Sequence, residues 1–456
     1  MMKVSDQNVN NIENISDLKP NHRQEINNFW LTLQVIPKGA AILVSLANSV
    51  DLLYHVLAIL DAGFVPILAA PTLPKLRLLD LQTRFGFHGF IQGALQIAAI
   101  SYQQRFNMGE QTFYLCSQQE KIHLNPGEIV LTTSGTSGFA SGCVFDIESL
   151  WRNANKHVNA IGLTAKDTVL VNLPLYYSYA FVAQALAALT VGARLLITGP
   201  PFNESFFIKT LQEKQVSVIS ITPLLARRLL KPDYALPSCL RVVTIGGDLF
   251  SKDEIIHFLR LNPLQECYIT YGLTEAGPRV ATLAAHTESA AKFASVGRVL
   301  PQIETHLEPR AAGCELYLKT DTCLKQRLGS SEKPTFHHLA SGRWLQTGDC
   351  FQIDQDGYLF FRGRCSNFLV IHGEKVNLDA IKQVVLELQS VISVNIKLIS
   401  EQDLILGYEL NVITTNELYI RTHISKYLRN YLYRHEQPSK INIQTLDAEE
   451  VISLHK

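Results

Sequence analysis

The sequence lacks any excess of one charge. Its 41 Lys and Arg residues balance its 41 Asp and Glu residues, so the formal net charge is +0 at pH 7. Binding to nucleic acid or to an anionic membrane surface is favoured by a basic excess, and we expect neither partner here. The eight cysteines include no CxxC pair. Their spacing favours reduced cytosolic thiols over a disulfide framework or a zinc site.

Long uninterrupted apolar runs are also missing. The stretch MMKVSDQNVNNIENISDLKP at the N-terminus is polar and has no apolar signal-peptide segment. The most apolar stretch, residues 176–196, contains Ser178, Gln184, Thr190 and Arg194. It predicts a buried helix followed by a strand, and no membrane span. The cytoplasm is therefore the expected location.

Short apolar runs alternate with helical patterns over most of the chain. AAILVSLAN predicts a strand, residues 49–61 have helical spacing, and FVPILAA predicts the next strand. The same rhythm returns where strands are predicted at TVLVNLP, VSVISITP and LRVVTIGG. Strands that alternate with helices imply α/β architecture, with parallel sheets covered by helices on both faces.

The pattern changes from Gly313 onward to short strands and turns, which predicts a small antiparallel, barrel-like part. A compact unit with both helical and strand patterns follows Arg364. At 456 residues the chain is also too long for one ordinary core. We therefore expect a large α/β N-terminal domain, residues 1–364, and a small α+β C-terminal domain, residues 365–456.

A stretch rich in glycine and hydroxyl side chains, LTTSGTSGFASGC, directly follows the strand-like GEIV. Such a turn presents several backbone N–H groups to one point and forms an anion nest. It is not a Walker A loop, because GxxxxGK[ST] is absent. A flexible surface turn would have the same composition. The candidate phosphate-binding residues are Thr133, Ser134, Gly135, Thr136, Ser137 and Gly138.

Two further stretches place polar side chains at predicted strand ends or turns. YGLTEAG puts Tyr271, Thr274 and Glu275 after the strand-like CYIT, and ligands of α/β sheets bind at strand ends. A carboxylate beside a hydroxyl suits magnesium and phosphate, and the aromatic ring could stack on a base. In LQTGD, Asp349 follows a Thr-Gly turn and could accept from ribose hydroxyls. A solvated Glu275 and a turn-capping Asp349 are the structural alternatives.

In this order, the three motifs resemble the adenylate-forming superfamily, which includes acyl-CoA synthetases, adenylation domains of nonribosomal synthesis and luciferases. The resemblance extends over nearly the whole chain and includes NLPLYYSYAF, IGGDLF, SVGRVLPQIE, GCELYL and GRCSNFLVIHGEKVNLDAI. It implies the acyl-adenylate synthetase fold, with a small C-terminal domain that rotates between two half-reactions. It also implies an enzyme that joins a carboxylic acid to ATP, releases pyrophosphate and passes the acyl group to a thiol.

The resemblance implies a role for each site residue. The glycine-rich loop would hold the β- and γ-phosphates of ATP, Thr274 would contact the α-phosphate, and Glu275 would hold Mg²⁺. Tyr271 would lie by the adenine, while Asp349, assisted by Arg364, would accept from the ribose hydroxyls. The other residues assigned to the nucleotide site are Gly247, Asp248 and Gly272.

Four positions depart from the family pattern. Ser141 stands where relatives have the lysine of Pro-Lys-Gly, so a cation over the departing pyrophosphate is missing. Ser366 occupies the hinge position, which is usually Asp or Lys. Val370 replaces a lysine, which weakens the inference that free CoA is the acceptor. Lys456, in EEVISLHK, is the candidate for the catalytic lysine that bridges the acid and the α-phosphate, and an ordinary charged terminus is the alternative.

The acid pocket is expected along the tyrosine-rich stretch LYYSYAF. Tyr179 stands where amino-acid-activating relatives have the Asp that pairs with the substrate ammonium, so an α-amino acid is not expected. Tyr176, Tyr177 and Phe181 would complete an apolar wall that bears hydroxyls. This wall suits an aryl acid or a fatty acid, although tyrosines of this kind also occur in cores. The other residues assigned to the pocket are Gly246 and Gly277.

We therefore predict a stand-alone ligase that uses ATP and Mg²⁺ to form an aryl- or acyl-adenylate and then loads a carrier-protein phosphopantetheine thiol. An acid–CoA ligase is the alternative within the enzyme class. A catalytically weakened homologue that binds nucleotide without efficient turnover is the alternative outside it. The retained Thr274, Glu275, Asp349 and Arg364 argue against the weakened homologue.

Overall fold

A computed structural model shows how the chain folds. Within the part that it describes, no helix is long and apolar enough to cross a membrane. The described residues are 12–14, 23–71, 73–93, 100–108, 110–117, 122–133, 141–199, 202–230, 236–310, 313–329, 336–339, 342–364, 368–371, 374–386, 388, 390–401, 404–414 and 416–445.

The strands alternate with helices through the first half of the chain and dominate the middle. The first fifteen strands are β1 (Ile12–Asn14), β2 (Ala41–Ser45), β3 (Val65–Leu68), β4 (Gly89–Gly93), β5 (Tyr102–Met108), β6 (Gln111–Cys116), β7 (Glu128–Thr133), β8 (Ser141–Asp146), β9 (Thr168–Val171), β10 (Arg194–Ile197), β11 (Val218–Ile221), β12 (Val242–Gly246), β13 (Glu266–Gly272), β14 (Arg279–Ala284) and β15 (Arg298–Val299). The remaining strands are β16 (Ile303–Arg310), β17 (Gly313–Thr320), β18 (Gln326–Leu328), β19 (Phe336–Leu339), β20 (Gly342–Ile353), β21 (Leu359–Arg364), β22 (Phe368–Ile371), β23 (Glu374–Asn377), β24 (Val391–Glu401), β25 (Leu404–Thr414) and β26 (Lys440–Thr445).

The helices of the described residues lie mainly between strands of the N-terminal part. They are α1 (Arg23–Thr32), α2 (Val50–Asp61), α3 (Lys75–Phe85), α4 (Ile147–Ile161), α5 in three segments (Ser178–Ala180, the π-helical Phe181–Leu186 and Ala187–Val191), α6 (Glu204–Glu213), α7 (Pro223–Leu229), α8 (Lys252–Leu261), α9 (Leu378–Leu386) and α10 (Glu417–Tyr431). Short 3-10 turns lie at Thr274–Ala276 and Arg434–Glu436.

The first eight-stranded sheet has the order β1-β10-β9-β11-β12-β13-β14-β15. Its strands run parallel from β1 to β13, and β14 and β15 are antiparallel additions at one side. The carboxyl ends of β12 and β13 lie side by side, because Gly246 is paired with Thr270. Ligands of open α/β sheets bind along such an edge.

The second eight-stranded sheet has the order β18-β8-β7-β3-β2-β4-β6-β5. Its centre, β7-β3-β2-β4, is parallel, and antiparallel strands close both sides. The sequence explains this centre: every residue of β2 (AILVS) is buried, as expected for a strand covered on both faces. The predicted β2-α2-β3 unit is confirmed. Ser49 caps α2 by accepting from the backbone N of Leu52 at 3.1 Å.

The predicted change to antiparallel structure is also confirmed, although it begins at Ile303 and not at Gly313. Strands β16, β17, β20 and β19 pair in that order, and β21 pairs with β20. Beyond them lie the β22–β23 hairpin and the β24-β25-β26 sheet. The C-terminal part has its own buried cluster, which includes Val384, Tyr408 and Ile424. It therefore has a core that is separate from those of the two large sheets.

The apolar stretch at residues 176–196 forms helix α5 followed by β10, as predicted. Its middle segment is π-helical, and this irregularity lets Gln184 reach across to β9. The Gln184 amide nitrogen donates to the carbonyl oxygen of Leu170 and to the side-chain oxygen of Asn172, both at 3.1 Å. π-helical turns are frequent at functional sites, and this one lies beside the strand ends.

Candidate active site

The turn after β13 places several of the predicted site residues. Within it, Gly272 cannot be replaced by a residue that has a side chain. A Cβ atom at Gly272 would lie 1.7 Å from the carbonyl oxygen of Pro278. The backbone therefore reverses into β14 only because this position has no side chain. Gly272 pairs with Arg279 across the two strands. Tyr271, Thr274 and Glu275 consequently lie at the carboxyl edge of the sheet, where sequence analysis placed them.

Tyr271, Asp349 and Arg364 form one hydrogen-bonded cluster. The Tyr271 hydroxyl donates to Asp349 Oδ2 at 2.7 Å, and Arg364 Nε donates to Asp349 Oδ1 at 2.6 Å. Asp349 is 2% exposed. Burial, followed by the Asp349 charge, holds the pKa of Tyr271 well above its ordinary value, so the phenol stays a donor. Residues from separate motifs thus meet at a single carboxylate.

The local backbone explains why Asp349 faces this cluster. Gly348 has a φ of 71°, a left-handed conformation that favours glycine. The Thr347 hydroxyl accepts from the backbone N of Asp349 at 3.1 Å. Pairing of β20 with β21 sets Asp349 opposite Arg364. The Thr-Gly turn seen in the sequence therefore orients the carboxylate.

Thr274 and Glu275 occupy the short 3-10 turn after β13. The Thr274 and Ser178 hydroxyls lie 2.8 Å apart, which joins the turn to the start of α5. Glu275 pairs with Arg327 of β18, with Nη2 and Oε1 separated by 2.5 Å. Sequence analysis singled out neither Ser178 nor Arg327.

Arg327 is near the base of the predicted phosphate loop because β18 pairs with β8 and sets Arg327 opposite Cys143. Strands β7 and β8 form the hairpin that holds this loop. At its loop end, the Thr133 and Ser141 hydroxyls lie 2.9 Å apart. Ser141 therefore bridges the two strands that lead into and out of the loop. The loop residues Ser134, Gly135, Thr136, Ser137 and Gly138 lie outside the described residues, as do Ser366 and Lys456.

The donor set at Glu275 fits a magnesium ion that is held mainly by a nucleotide. No group of three or more His, Cys, Asp or Glu side chains in the described ranges could hold a metal by itself. Mg²⁺ is usually bound by one or two carboxylates together with substrate phosphates. A single carboxylate beside the Thr274 hydroxyl matches that pattern, and this carboxylate is paired with Arg327.

Tyr179 lies where the acid pocket was expected. Its hydroxyl is 3.1 Å from that of Thr244, which donates to Ser220 Oγ at 2.8 Å. A Cβ atom at Gly246 would lie 3.4 Å from the Tyr179 hydroxyl and 2.2 Å from the Thr270 hydroxyl, so only glycine fits against Thr270 at this strand end. Gly247 follows with open space around it. Asp248 is exposed beside it.

The other residues predicted for the pocket make contacts of several kinds. Phe181 is 1% exposed and packs within the main core. Gly277 packs against Thr322, whose carbonyl oxygen would be 2.6 Å from an added Cβ. The Tyr177 hydroxyl donates to Glu374 Oε2 of β23 at 3.0 Å. Burial, followed by the Glu374 charge, raises the pKa of Tyr176 to about 12.

Arg279 is a buried cation that sequence analysis missed. Its guanidinium carbon lies 5.0 Å from the centre of the Tyr179 ring. Two of its nitrogens, Nε and Nη2, have no hydrogen-bond partner among the described residues. Both ring nitrogens of buried His157 are likewise unpartnered there. Burial, followed by the Arg279 charge, holds the pKa of His157 well below its ordinary value. The sequence alone does not show whether an arginine is exposed or buried, and this is why Arg279 was missed.

Known proteins resemble the chain in both sequence and fold. The model of a family described as AMP-binding enzyme matches residues 29–316. A 2-succinylbenzoate–CoA ligase of Bacillus mycoides is 27% identical over 288 residues, which are 61% of this chain and 58% of the relative. The enzyme of that name from Bacillus cereus strain AH820 is 25% identical over 380 residues, 78% of this chain and 74% of the relative.

Two solved structures share the fold. A double mutant of o-succinylbenzoate CoA synthetase from Bacillus subtilis, bound with a product analogue, superposes with a TM-score of 0.76 at 18% identity, covering 92% of this chain and 88% of that one. An amide bond synthetase from Marinactinospora thermotolerans has a TM-score of 0.76 at 17% identity, covering 96% and 94%. The expected acyl-adenylate synthetase fold is confirmed.

Proposed function

The chain belongs to the AMP-binding enzyme family, a family of ATP-dependent ligases, and we propose that it activates an aromatic carboxylic acid as its acyl-adenylate and passes the acyl group to a pantetheine thiol. The cluster of Tyr271, Asp349 and Arg364 carries this proposal. Its hydrogen bonds of 2.7 and 2.6 Å prepare a buried carboxylate at the strand ends. A carboxylate held in this way can accept from the vicinal hydroxyls of a ribose.

In the first half-reaction the substrate carboxylate attacks the α-phosphorus of ATP in line, and pyrophosphate leaves. Such a step depends on positioning and on neutralising the charge of the phosphates. The paired hydroxyls of Thr274 and Ser178, 2.8 Å apart, would donate to the α-phosphate. Arg327, near the base of the glycine-rich loop, would supply a cation that the loop itself lacks at Ser141.

Glu275 would hold Mg²⁺ together with the ATP phosphates, and the ion would supply further positive charge beside them. Glu275 is paired with Arg327, so the Arg327 guanidinium would also lie close to a phosphate bound beside Glu275. Lys456 is proposed to bridge the acid and the α-phosphate. Thr133, Gly247 and Asp248 are proposed to border the nucleotide.

In the second half-reaction a thiolate attacks the acyl carbon, a thioester forms, and AMP leaves with one oxygen of the original carboxylate. Relatives named CoA ligases make CoA the first acceptor to test. Val370, in place of a lysine, is the basis for the sequence-based preference for a carrier protein. The two acceptors share the phosphopantetheine thiol, so one mechanism serves both.

The tyrosines favour an aromatic acid. Tyr179 presents its ring to the Arg279 guanidinium and its hydroxyl to Thr244 beside Gly246. The ring of an aromatic acid would lie against the Tyr179 ring, near the open space at Gly247.

We also propose that residues 1–364 and 365–456 move as two domains about a hinge near Ser366. The polar contacts between the two parts include an ion pair, in which Arg77 Nη1 lies 2.9 Å from Glu436 Oε2, and a hydrogen bond that Tyr177 donates to Glu374. Rotation between the half-reactions would break both contacts. Tyr177, at the mouth of the acid pocket, would thereby lose or regain its hydrogen bond to Glu374 as the C-terminal domain moves.

The test is pyrophosphate release from ATP with a panel of aromatic and fatty acids, followed by mass spectrometry of CoA and of a holo-carrier protein. We expect release that depends on an aromatic acid, and acyl transfer to one of the two thiols. Absence of any acid-dependent release, with ATP still bound, would favour the catalytically weakened homologue. Release with fatty acids alone would contradict the aromatic assignment.

A further inference from the structure

The carboxylate of Glu315 is buried in β17, and the site described above gives it no task. It lies in the GCELYL stretch, which resembles a segment of the family but has no function assigned to it. The residue is 2% exposed. A charge is costly to bury unless hydrogen-bond donors surround it, so the donors around Glu315 show what its burial achieves.

The pairing of β17 with β20 is irregular at this point. Glu315 pairs with Cys350 and Tyr317 pairs with Gln346, so two steps along β17 correspond to four steps along β20. The extra residues of β20 belong to the Thr-Gly turn that ends at Asp349. A bulge of this kind takes backbone groups out of the ladder and changes the direction of a side chain. The direction of Asp349 therefore depends on the groups that hold the bulge.

Two acceptors of β17 hold it. Glu315 Oε1 accepts from the backbone N of Gly348 at 3.0 Å, and the carbonyl oxygen of Leu316 accepts from the Thr347 hydroxyl at 2.7 Å. A Cβ atom at Gly348 would meet nothing within 4 Å, so glycine is needed there for its left-handed backbone and not for space. A charged acceptor thus fixes the N–H group of the residue directly before Asp349.

The second oxygen of Glu315 has separate donors. Arg310 Nε and Gln346 Nε2 each donate to Oε2 at 3.0 Å. The Arg310 side chain is 42% exposed, so this ion pair reaches the surface. The carboxylate is therefore anchored through Oε2, and Oε1 is left for the turn.

We propose that Glu315 is a positioning residue for the nucleotide, which holds the bulge through Gly348 so that the Asp349 carboxylate faces the ribose hydroxyls. The inference rests on the proposed function, because the contact of Asp349 with ribose belongs to it. Tyr271 and Arg364 fix the two carboxylate oxygens of Asp349, and Glu315 fixes the backbone from which that side chain extends. The reach of the Glu315 side chain, more than its charge, is what this task requires.

Two substitutions separate reach from charge. Glu315→Gln removes the charge and keeps an oxygen at the same distance from Gly348 N. Glu315→Asp keeps the charge and is shorter by one methylene group, so its carboxylate no longer reaches Gly348 N. Arg310→Met is the matched control, since it removes a donor to Oε2 and leaves the bond to Gly348 in place. Thermal unfolding of each full-length variant checks that it is folded.

The experiment measures calorimetric binding of ATP and of 2′,3′-dideoxy-ATP, each with Mg²⁺ and without any acid. The analogue lacks both ribose hydroxyls and cannot use Asp349. We expect wild type to bind ATP about 10- to 100-fold more tightly than the analogue, the range for a hydrogen bond to a charged group. Glu315→Asp should bind ATP about 10-fold more weakly than wild type and the analogue equally well. Glu315→Gln and Arg310→Met should keep the preference for ATP.

Equal losses for both nucleotides in Glu315→Asp would assign Glu315 a merely structural role and overturn the inference. A folded Glu315→Asp that keeps the preference for ATP, or a folded Glu315→Gln that loses it, would also overturn it, and the second result remains available if Glu315→Asp does not fold. Wild type without any preference would overturn it as well and leave acid activation to be judged by pyrophosphate release. The expected preferences in a protein that releases no pyrophosphate with any acid would support the inference and contradict the proposed function.

Discussion

Replacing Asp349 with Asn tests the nucleotide site at its centre. The substitution keeps the shape of the side chain and removes its charge. One amide oxygen can still accept from Arg364 Nε, now 2.6 Å from Asp349 Oδ1. The amide nitrogen replaces the oxygen that accepts from Tyr271, so the tyrosine hydroxyl must rotate and accept instead. The cluster would survive with two weaker bonds.

The magnitude follows from those two bonds. A hydrogen bond to a charged group contributes about 1.5–3 kcal/mol and a neutral one about 0.5–1.5 kcal/mol, so the bond from Tyr271 loses about 1–1.5 kcal/mol. Arg364 stays charged and loses its ionised partner, and removing one partner of a buried ion pair costs about 3–5 kcal/mol. Because Arg364 keeps one hydrogen bond to the amide oxygen, we expect Asp349→Asn to lower the free energy of unfolding by about 3–5 kcal/mol in all. If the carboxylate also accepts from ribose, the KM for ATP should rise about 10- to 100-fold.

Acid-dependent exchange of labelled pyrophosphate into ATP measures the KM, and urea unfolding measures stability. Asp167→Asn is the matched control. Asp167 is buried, pairs with Arg241 at 3.0 Å and lies just before β9. It is therefore at the amino ends of the parallel strands, whereas Tyr271 is at their carboxyl ends. Asp167→Asn should lose stability without any change in KM. An unchanged KM for ATP in folded Asp349→Asn would refute the ribose assignment.

Three further changes have defined outcomes. Glu275→Gln should reduce pyrophosphate exchange at least about 100-fold, with a higher half-saturating Mg²⁺ concentration; normal exchange would contradict the magnesium assignment. Burial lowers the pKa of His55 to about 4, so the unfolded chain takes up the proton first as pH falls. The free energy of unfolding should therefore drop by about 3 kcal/mol between pH 7 and 4, and His55→Gln should flatten that slope in urea unfolding. Glu436→Gln leaves the buried Arg77 charge unpaired and should cost about 3–5 kcal/mol, measured by circular dichroism; a loss below about 1 kcal/mol would show that the pair contributes little.

Strongly patterned elements could be predicted from sequence because burial on both faces, or on one helical stripe, leaves a clear hydrophobic period. The unit β2-α2-β3 is an example. The strand β5 could not be found in this way, since most residues of YQQRFNM are exposed. It is a strand because β6 lies beside it and supplies its hydrogen bonds. The local propensity of the β5 residues does not show that β6 will pair with them.

Some residues of the candidate site could likewise be predicted from sequence, and others could not. Asp349 and Tyr271 lie in short motifs, so their chemistry could be inferred before their contact was seen. Arg327 could not, because its link to Glu275 depends on the pairing of β18 with β8. Arg279 was missed for a different reason: only the structure shows that its guanidinium is buried over Tyr179 with no carboxylate partner among the described residues.

The fate of one oxygen atom tests the central claim most directly. The acid is supplied with ¹⁸O in its reacting carboxylate, and AMP from a complete turnover with the thiol is examined by mass spectrometry. Attack of the carboxylate on the α-phosphorus predicts one ¹⁸O atom in AMP and none in pyrophosphate. Formation of ADP and labelled inorganic phosphate, or of AMP without label, would contradict an acyl-adenylate intermediate.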